Sequence, residues 1–232
     1  MQPTLRADLE TRSACDLRRA GVDIYAKDPT TDVLCMAFAV CRGPLDTNPQ
    51  IHLWKRGEPF SDELKSFFLF LKDGSYFRAW NATFELLLWN NVLVKKYGFP
   101  WMNPSRVECT MAKAYAMGLP GSLEKAAPAA GIAEEKDMAG SRVMMQLSKP
   151  REIKENGDIV WWEPESSPEK FEKLYSYCIQ DLKVEAELDR RLRDLSPEEK
   201  KVWSLDYEIN RRGIRVDLPA VKKALELSLI HI

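Results

Sequence analysis

Residues 4–11 read TLRADLET. Leu5, Ala7 and Leu9 alternate with Arg6, Asp8 and Glu10, the two-residue period of a β-strand with one apolar and one charged face. Further along, residues 32–41 read DVLCMAFAVC, a nearly continuous apolar run that suits a central strand buried on both sides. Shorter strands are expected at 51–54, bounded by Pro49 and by Gly57-Glu58-Pro59, and at 76–80. Helical patterns then take over. Ser61 is a suitable N-cap for a helix over 61–71, and Asn81 for one over 82–97 that closes at Gly98 and Pro100. Further helices are expected over 105–117, near 122–130 and near 139–147. Residues 149–167 are polar and read as an excursion or hairpin whose apolar part is 159–162. A long helix opens at Ser167 or Pro168 and runs to 195. Another begins at Ser196-Pro197-Glu198-Glu199 and stops at Gly213, with 213–217 read as a short strand. Strands first and helices after give an α/β fold with a mixed sheet flanked by helices.

The chain has 232 residues, of which 45% are apolar and 30% charged, enough for a sizeable core without disulfides. Lys+Arg is 34 and Asp+Glu is 35, so the formal net charge is -1. That excludes a whole-surface polycation for duplex DNA, and any contact with nucleic acid must use a local patch or bound cations. Histidine occurs only at His52 and His231, which removes the parts for zinc fingers, H-E-x-x-H proteases and most Ser-His or Cys-His machinery. Cys15, Cys35, Cys41, Cys109 and Cys178 form no C-x-x-C and read as reduced thiols of a cytoplasmic protein. Asp8 and Glu10 interrupt any signal peptide, and no apolar run reaches the length of a membrane span. Neither G-x-G-x-x-G nor a Walker A loop is present, which argues against the usual dinucleotide and NTP sites.

Three short motifs can carry chemistry. Asp8 and Glu10, two apart on a strand, put two carboxylates side by side. Such a pair is costly unless something positive lies between them, and a divalent cation is the common solution. Asn81-Ala82-Thr83-Phe84-Glu85 opens a helix at a strand end, so Glu85 in the first turn can point back over the sheet edge. Tyr177 and Asp181, four apart, share one helix face, where a hydroxyl beside a carboxylate can position a water. Each has an ordinary alternative: a solvated strand face, a capped helix, a surface tyrosine with a hydrogen-bonded neighbour. Other features read more simply as packing or solvated faces: Trp161-Trp162, Met144-Met145, Arg190-Arg191-Arg193 and Arg211-Arg212.

Taken in order, acid-x-acid, Asn-x-x-x-acid and Tyr-x-x-x-Asp resemble the DEDD superfamily of 3′–5′ exonucleases, in its tyrosine branch, to which the proofreading domain of DNA polymerase I belongs. The segments DLETRSACDLRRAGVDIYAKDPTTDVLCMAFA, LPGSLEKAA, KDMAGSRVMMQLSKP, YCIQDLKVEAEL and EEKKVWSLDYEINRRGIRVD are similar to bacteriophage-type family A DNA polymerases. The likeness covers residues 5–225. It implies a ribonuclease H-like exonuclease domain over 1–195 and, over 196–226, the start of the linker or polymerase region. No polymerase activity is expected of this stretch alone. The closing residues 227–232 can be encoded by CTG TCT CTT ATA CAC ATC, which matches a transposase mosaic-end adapter, so they are expected to be a non-native tail.

Carried over residue by residue, the resemblance implies that Asp8, Glu10, Glu85 and Asp181 hold two divalent cations, Mg2+ or Mn2+. It implies that Tyr177 orients the attacking water, and that Thr11, Asn81 and Phe84 lie on the substrate side. Two cations about 4 Å apart would clamp the last phosphodiester of a single-stranded DNA 3′ end. The implied partners are that DNA end and a polymerase domain in cis, with no membrane, in the cytoplasm of a bacterial host. Glu85 falls where the superfamily most often has Asp. Trp80 stands where the phage branch usually has His, and Cys109-Thr110-Met111 where Asp-Thr-Met is typical, with Glu108 as a conceivable substitute acid. Those departures leave room for a catalytically degenerate domain that only binds or spaces nucleic acid. A free-standing exonuclease and a helical adaptor with coincidental motifs are the remaining alternatives.

Overall fold

The structure, a computed structural model, describes residues 3–43, 49–132 and 138–230. The chain runs β1 (Thr4–Arg12), α1 (Leu17–Ala20), α2 (Val22–Lys27), β2 (Asp32–Cys41), β3 (Ile51–Lys55), α3 (Asp62–Lys72), β4 (Tyr76–Ala79) and α4 (Ala82–Leu88). A π-helical turn (Trp89–Leu93) leads into α5 (Val94–Tyr97), and a 3-10 turn (Pro104–Arg106) into β5 (Val107–Cys109) and α6 (Thr110–Ala116). There follow α7 (Leu123–Ala129), α8 (Met138–Leu147), β6 (Glu152–Ile153), β7 (Ile159–Val160), α9 (Pro168–Arg191), α10 (Pro197–Arg212) and α11 (Leu218–Ile230). Two compact units result, Met1–Leu195 and Ser196–Ile232. Among the described residues no helix is long and apolar enough to cross a membrane.

The sheet of the first unit has the order β3-β2-β1-β4-β5. β1 pairs antiparallel with β2, and β2 with β3; β1 pairs parallel with β4, and β4 with β5. A five-stranded mixed sheet of this order flanked by helices agrees with a ribonuclease H-like fold. β2 lies between two strands with both faces covered, which is why its sequence is almost continuously apolar. Its two faces nevertheless differ. Phe38 belongs to an aromatic layer with Phe67 of α3, which continues through Trp89 to Phe77 and Phe99. Cys35, Ala37 and Ala39 face α9, packing with Leu174, Cys178 and Leu182. Small residues on that side let the helix approach closely. The antiparallel register sets Arg6 opposite Ala39, Asp8 opposite Ala37 and Glu10 opposite Cys35, so the charged edge of β1 looks toward the same helix.

Several expected elements take a different form. The segment expected as one helix over 105–117 is a 3-10 turn, the three-residue strand β5 and then α6. Phe77, Arg78 and Ala79 of β4 supply the pairing partners, a tertiary constraint that no three-residue period displays. The helix expected over 82–97 is interrupted by the π-helical turn at Trp89, whose indole N–H donates to the Pro100 carbonyl at 2.7 Å while the ring is fully buried. Asn81 makes no side-chain cap; the Phe84 N–H bonds to its carbonyl oxygen instead. Residues 213–217 form no strand. The stretch 149–167 does contain a small hairpin, β6 paired antiparallel with β7. Trp162 packs into the α9 core and Arg12 stacks over Trp161, while Met144 packs inward and Met145 is exposed. At Ser196, the hydroxyl accepts from the Glu199 N–H and the Ser196 N–H donates to the Glu199 carboxylate, so α10 starts on a complete capping box. Of the expected tail, His231 and Ile232 lie outside the described residues, and 227–230 continue α11.

Trp89 anchors the aromatic layer and is the most informative core position. Trp89→Ala is expected to lower the unfolding free energy of the first unit by about 3–5 kcal/mol, read from the urea midpoint. Trp89→Phe, which keeps most of the burial, is expected to cost less than half of that. A loss below about 1 kcal/mol for Trp89→Ala would place it among ordinary surface changes and contradict the packing described.

Candidate metal centre

β1 and α9 build the site between them. α9 crosses the charged edge of β1 in the opposite chain direction, and the two elements keep step. Four helical residues advance about 6 Å, and two strand residues about 6.6 Å. Asp181, Glu185 and Asp189, spaced by four, therefore follow Glu10, Asp8 and Arg6, spaced by two. A register shift between Glu10 and Thr11, where Glu10 pairs with Cys35 but Thr11 with Val33, is a bulge at the end of this row.

At one end of the row, acid meets acid. Carboxylate oxygens of Asp8, Glu10 and Asp181 all lie within 4.8 Å of one another. Glu85, in the first turn of α4, is buried and feels the Asp8 charge, and its Oε2 is buried without a hydrogen-bond partner. Tyr177, one turn before Asp181, is hydrogen-bonded to it. Loss of water and then the nearby Asp181 push the Asp8 carboxyl up to about 8. Burial, followed by Asp8, pushes both Glu10 and Glu85 well above the usual carboxylate range. Burial and then Asp181 push the Tyr177 hydroxyl up, so it stays protonated. None of the main influences on Asp8, Glu10 or Glu85 is an arginine or lysine.

At the other end of the row, acid meets base. Arg6 is buried and donates from Nη1 to both Glu185 oxygens, at 2.9 and 2.8 Å, and from Nη2 to Asp189. Lys113, also buried, reaches Asp189 at 2.7 Å and Asp194 at 2.6 Å. Arg78 bonds Glu108 at 2.7 Å and Asp189 at 2.9 Å, and the Thr110 hydroxyl donates to Glu185. Burial opposes the Arg6 charge, but Glu185 and Asp189 outweigh it and hold the guanidinium firmly protonated.

Asp8, Glu10 and Asp181 thus come together, with Tyr177 beside Asp181; Glu85 is outside that cluster, though near enough to feel the Asp8 charge. Thr11 and Phe84 meet on a residue that sequence reasoning missed: the buried Tyr25 of α2 shares a hydrogen bond of 2.9 Å with the Thr11 hydroxyl, and its ring lies 6.2 Å from that of Phe84. Asn81 is exposed at the start of α4. Glu108 does not stand in for the missing acid; strand alternation turns it toward Arg78, while its neighbour Cys109 is buried, donates to the Trp80 carbonyl and feels the charge of Glu85. The Trp80 ring packs against the cluster of Ala114, Val184 and Leu188. Arg6, Glu185, Asp189 and Lys113 were also missed. Extending the same two spacings, back from Asp8 and forward from Asp181, would have found the first three.

A set of mutually repelling oxygen donors, Asp8 and Asp181 half-buried and Glu10 buried, beside an orphaned Glu85 oxygen, fits hard divalent cations such as Mg2+ or Mn2+. The neighbouring Cys178 is not suited to join them. Its sulfur accepts from the Ala37 N–H at 3.3 Å and donates to the Asp8 carbonyl at 3.5 Å, and burial pushes the thiol well up, so it stays neutral.

A DNA polymerase of Bacillus phage SP02 is similar to this chain. The two are 35% identical over 226 residues, 96% of this chain and 33% of that polymerase. The chain therefore spans about a third of the length of this relative. No protein-family model matches the chain.

The raised carboxyls have a consequence for stability. Their folded pKa values exceed the unfolded ones, near 4, so the metal-free protein is stabilised below about pH 4 and loses that contribution as pH rises toward 8, the range of Asp8. In EDTA the melting temperature is expected to fall between pH 5.5 and 8.5. Added Mn2+ should raise it most at the alkaline end. A melting temperature that rises with pH in EDTA would contradict the site.

Proposed function

We propose that this chain is the 3′–5′ exonuclease, proofreading module of a family A DNA polymerase, hydrolysing the terminal phosphodiester of single-stranded DNA. The observation that carries the reading is the convergence of Asp8, Glu10 and Asp181, with the buried Glu85 near enough to feel the Asp8 charge, where the main influences on Asp8, Glu10 and Glu85 among the described residues are burial and other acids. The similarity to a phage DNA polymerase of about three times the length supports a polymerase region in cis and a host-cytoplasmic setting.

In this reading Asp8, Glu10, Glu85 and Asp181 hold two divalent cations, Mg2+ or Mn2+. When bound, these offset the acid cluster, activate water and stabilise the departing oxygen. The chain's own contribution is placement. Tyr177, hydrogen-bonded to Asp181, keeps an oxygen lone pair that can accept a hydrogen bond from the attacking water. A water held by one of its hydrogens turns its own lone pair toward phosphorus. The water oxygen bonds to phosphorus and gives up a proton to solvent, the bond from phosphorus to the 3′ oxygen breaks, and that oxygen takes a proton from solvent as the nucleoside 5′-monophosphate leaves. Thr11, Phe84 and Asn81 lie on the side of the terminal nucleotide, with the Tyr25 contacts fixing the first two.

The test is incubation with 3′-labelled single-stranded DNA in Mg2+ or in EDTA. Mononucleotide release in Mg2+ only is expected. Asp8→Ala and Asp181→Ala should abolish both release and Mn2+ binding. Tyr177→Phe should slow release by about 10²-fold, the positioning share of catalysis, while binding Mn2+ like the parent. Full activity in EDTA would sink the mechanism. The neutral Cys109 beside Glu85 favours one other reading, a domain that binds the strand without cutting it; binding of DNA with no release under any metal condition would establish it.

A further inference from the structure

We propose that Glu185 is a positioning residue of the cation site, screening the metal-holding acids from the buried positive charge of Arg6 while pinning α9 in register with β1. This rests on the proposed metal site but concerns a residue that no part of that site includes.

Glu185 is 2% exposed and sits at the boundary of the two charge populations. On one side it takes both Arg6 Nη1 bonds and the Thr110 hydroxyl. On the other, its charge reaches Asp8 and Glu85. Arg6 lies two residues from Asp8 on the same strand face, about 6.6 Å along the strand. In a low-dielectric seam, a full positive charge at that distance opposes any cation bound between Asp8 and Asp181. Its other partner, Asp189, is shared with Lys113 and Arg78, which also pair with Asp194 and Glu108, whereas among the described ion pairs Glu185 serves Arg6 alone. Glu185 therefore completes the neutralisation of Arg6 without leaving the row. It also fixes geometry: a guanidinium gripping Glu185 and Asp189, one helical turn apart, leaves Asp181 the next turn along, opposite Asp8 and Glu10.

The sign of this effect separates it from an ordinary packing role. Glu185→Gln keeps the side-chain shape and can still accept from Arg6, but it unmasks the Arg6 charge. Mn2+ binding, read by electron paramagnetic resonance or calorimetry without DNA, is expected to weaken about tenfold or more, although Glu185 is not a proposed ligand. Arg6→Met combined with Glu185→Gln removes both charges, leaves Asp189 paired with Lys113 and Arg78, and should recover affinity to within about threefold of the parent. Melting curves in EDTA establish that each variant is folded. If the parent binds no Mn2+, the metal site itself is wrong. If the parent binds and Glu185→Gln binds equally well, the screening role is wrong. Weakening that the double variant fails to rescue would assign the effect to lost shape and also overturn the proposal. If either variant does not fold, Glu185→Asp, which keeps the charge on a shorter arm, must retain affinity within about threefold; a tenfold loss there would count against screening.

Discussion

The constraint on which the rest depends is a row of buried charges between one strand and one helix. Because four helical residues and two strand residues advance by nearly the same distance, α9 and β1 can oppose carboxylate to carboxylate at one end and carboxylate to guanidinium at the other. The paired end is stable by itself: Arg6, Lys113 and Arg78 satisfy Glu185, Asp189 and Glu108 with hydrogen-bonded geometry. Burying such charges is tolerable only because each has a partner, and removing one partner of a buried pair typically costs about 3–5 kcal/mol. The paired end therefore holds α9 on the sheet and obliges the acidic end to assemble, even though the acids repel one another.

The surrounding fold serves that arrangement. Cys35, Ala37 and Ala39 keep the neighbouring strand shallow where α9 crosses, while an aromatic layer packs on the opposite face. The bulge after Glu10 ends the regular row and turns the strand toward Thr11, Tyr25 and Phe84. Arg12 then ties β1 to Glu163 at 2.9 Å and to the Trp162 carbonyl, so the 149–167 excursion is docked beside the same strand end. Chemistry and stability are linked through one strand: its apolar residues enter the core, and its polar ones run from structural salt bridges to the candidate metal ligands.

Much of this was legible in the residues alone, and the reasons are local. β1 and β2 have unmistakable two-residue and all-apolar patterns, and the spacings Asp8–Glu10 and Tyr177–Asp181 each fix a shared face within one element. What escaped depended on partners distant in sequence. β5 is three residues long and exists because β4 pairs with it, so helix-like residues before Thr110 misled the reading. Glu108 looked like a spare acid beside Cys109, but alternation along that strand gives it to Arg78. Arg6 looked like an ordinary polar-face residue until α9 brought Glu185 and Asp189 onto it across 179 and 183 residues of chain. Nothing near Thr11 in the sequence points to Tyr25, from a segment without a marked pattern, yet the two share a hydrogen bond.

In the proposed reading, divalent cations complete the acidic end of the β1–α9 row. Anomalous diffraction from crystals soaked in Mn2+ tests it most directly. Strong manganese peaks are expected about 2.0–2.3 Å from carboxylate oxygens of Asp8 and of at least one of Glu10, Glu85 and Asp181, with Arg6 still bound to Glu185 and Asp189. A diffraction map without manganese at these carboxylates, or with a lysine or arginine swung into their midst, would contradict it.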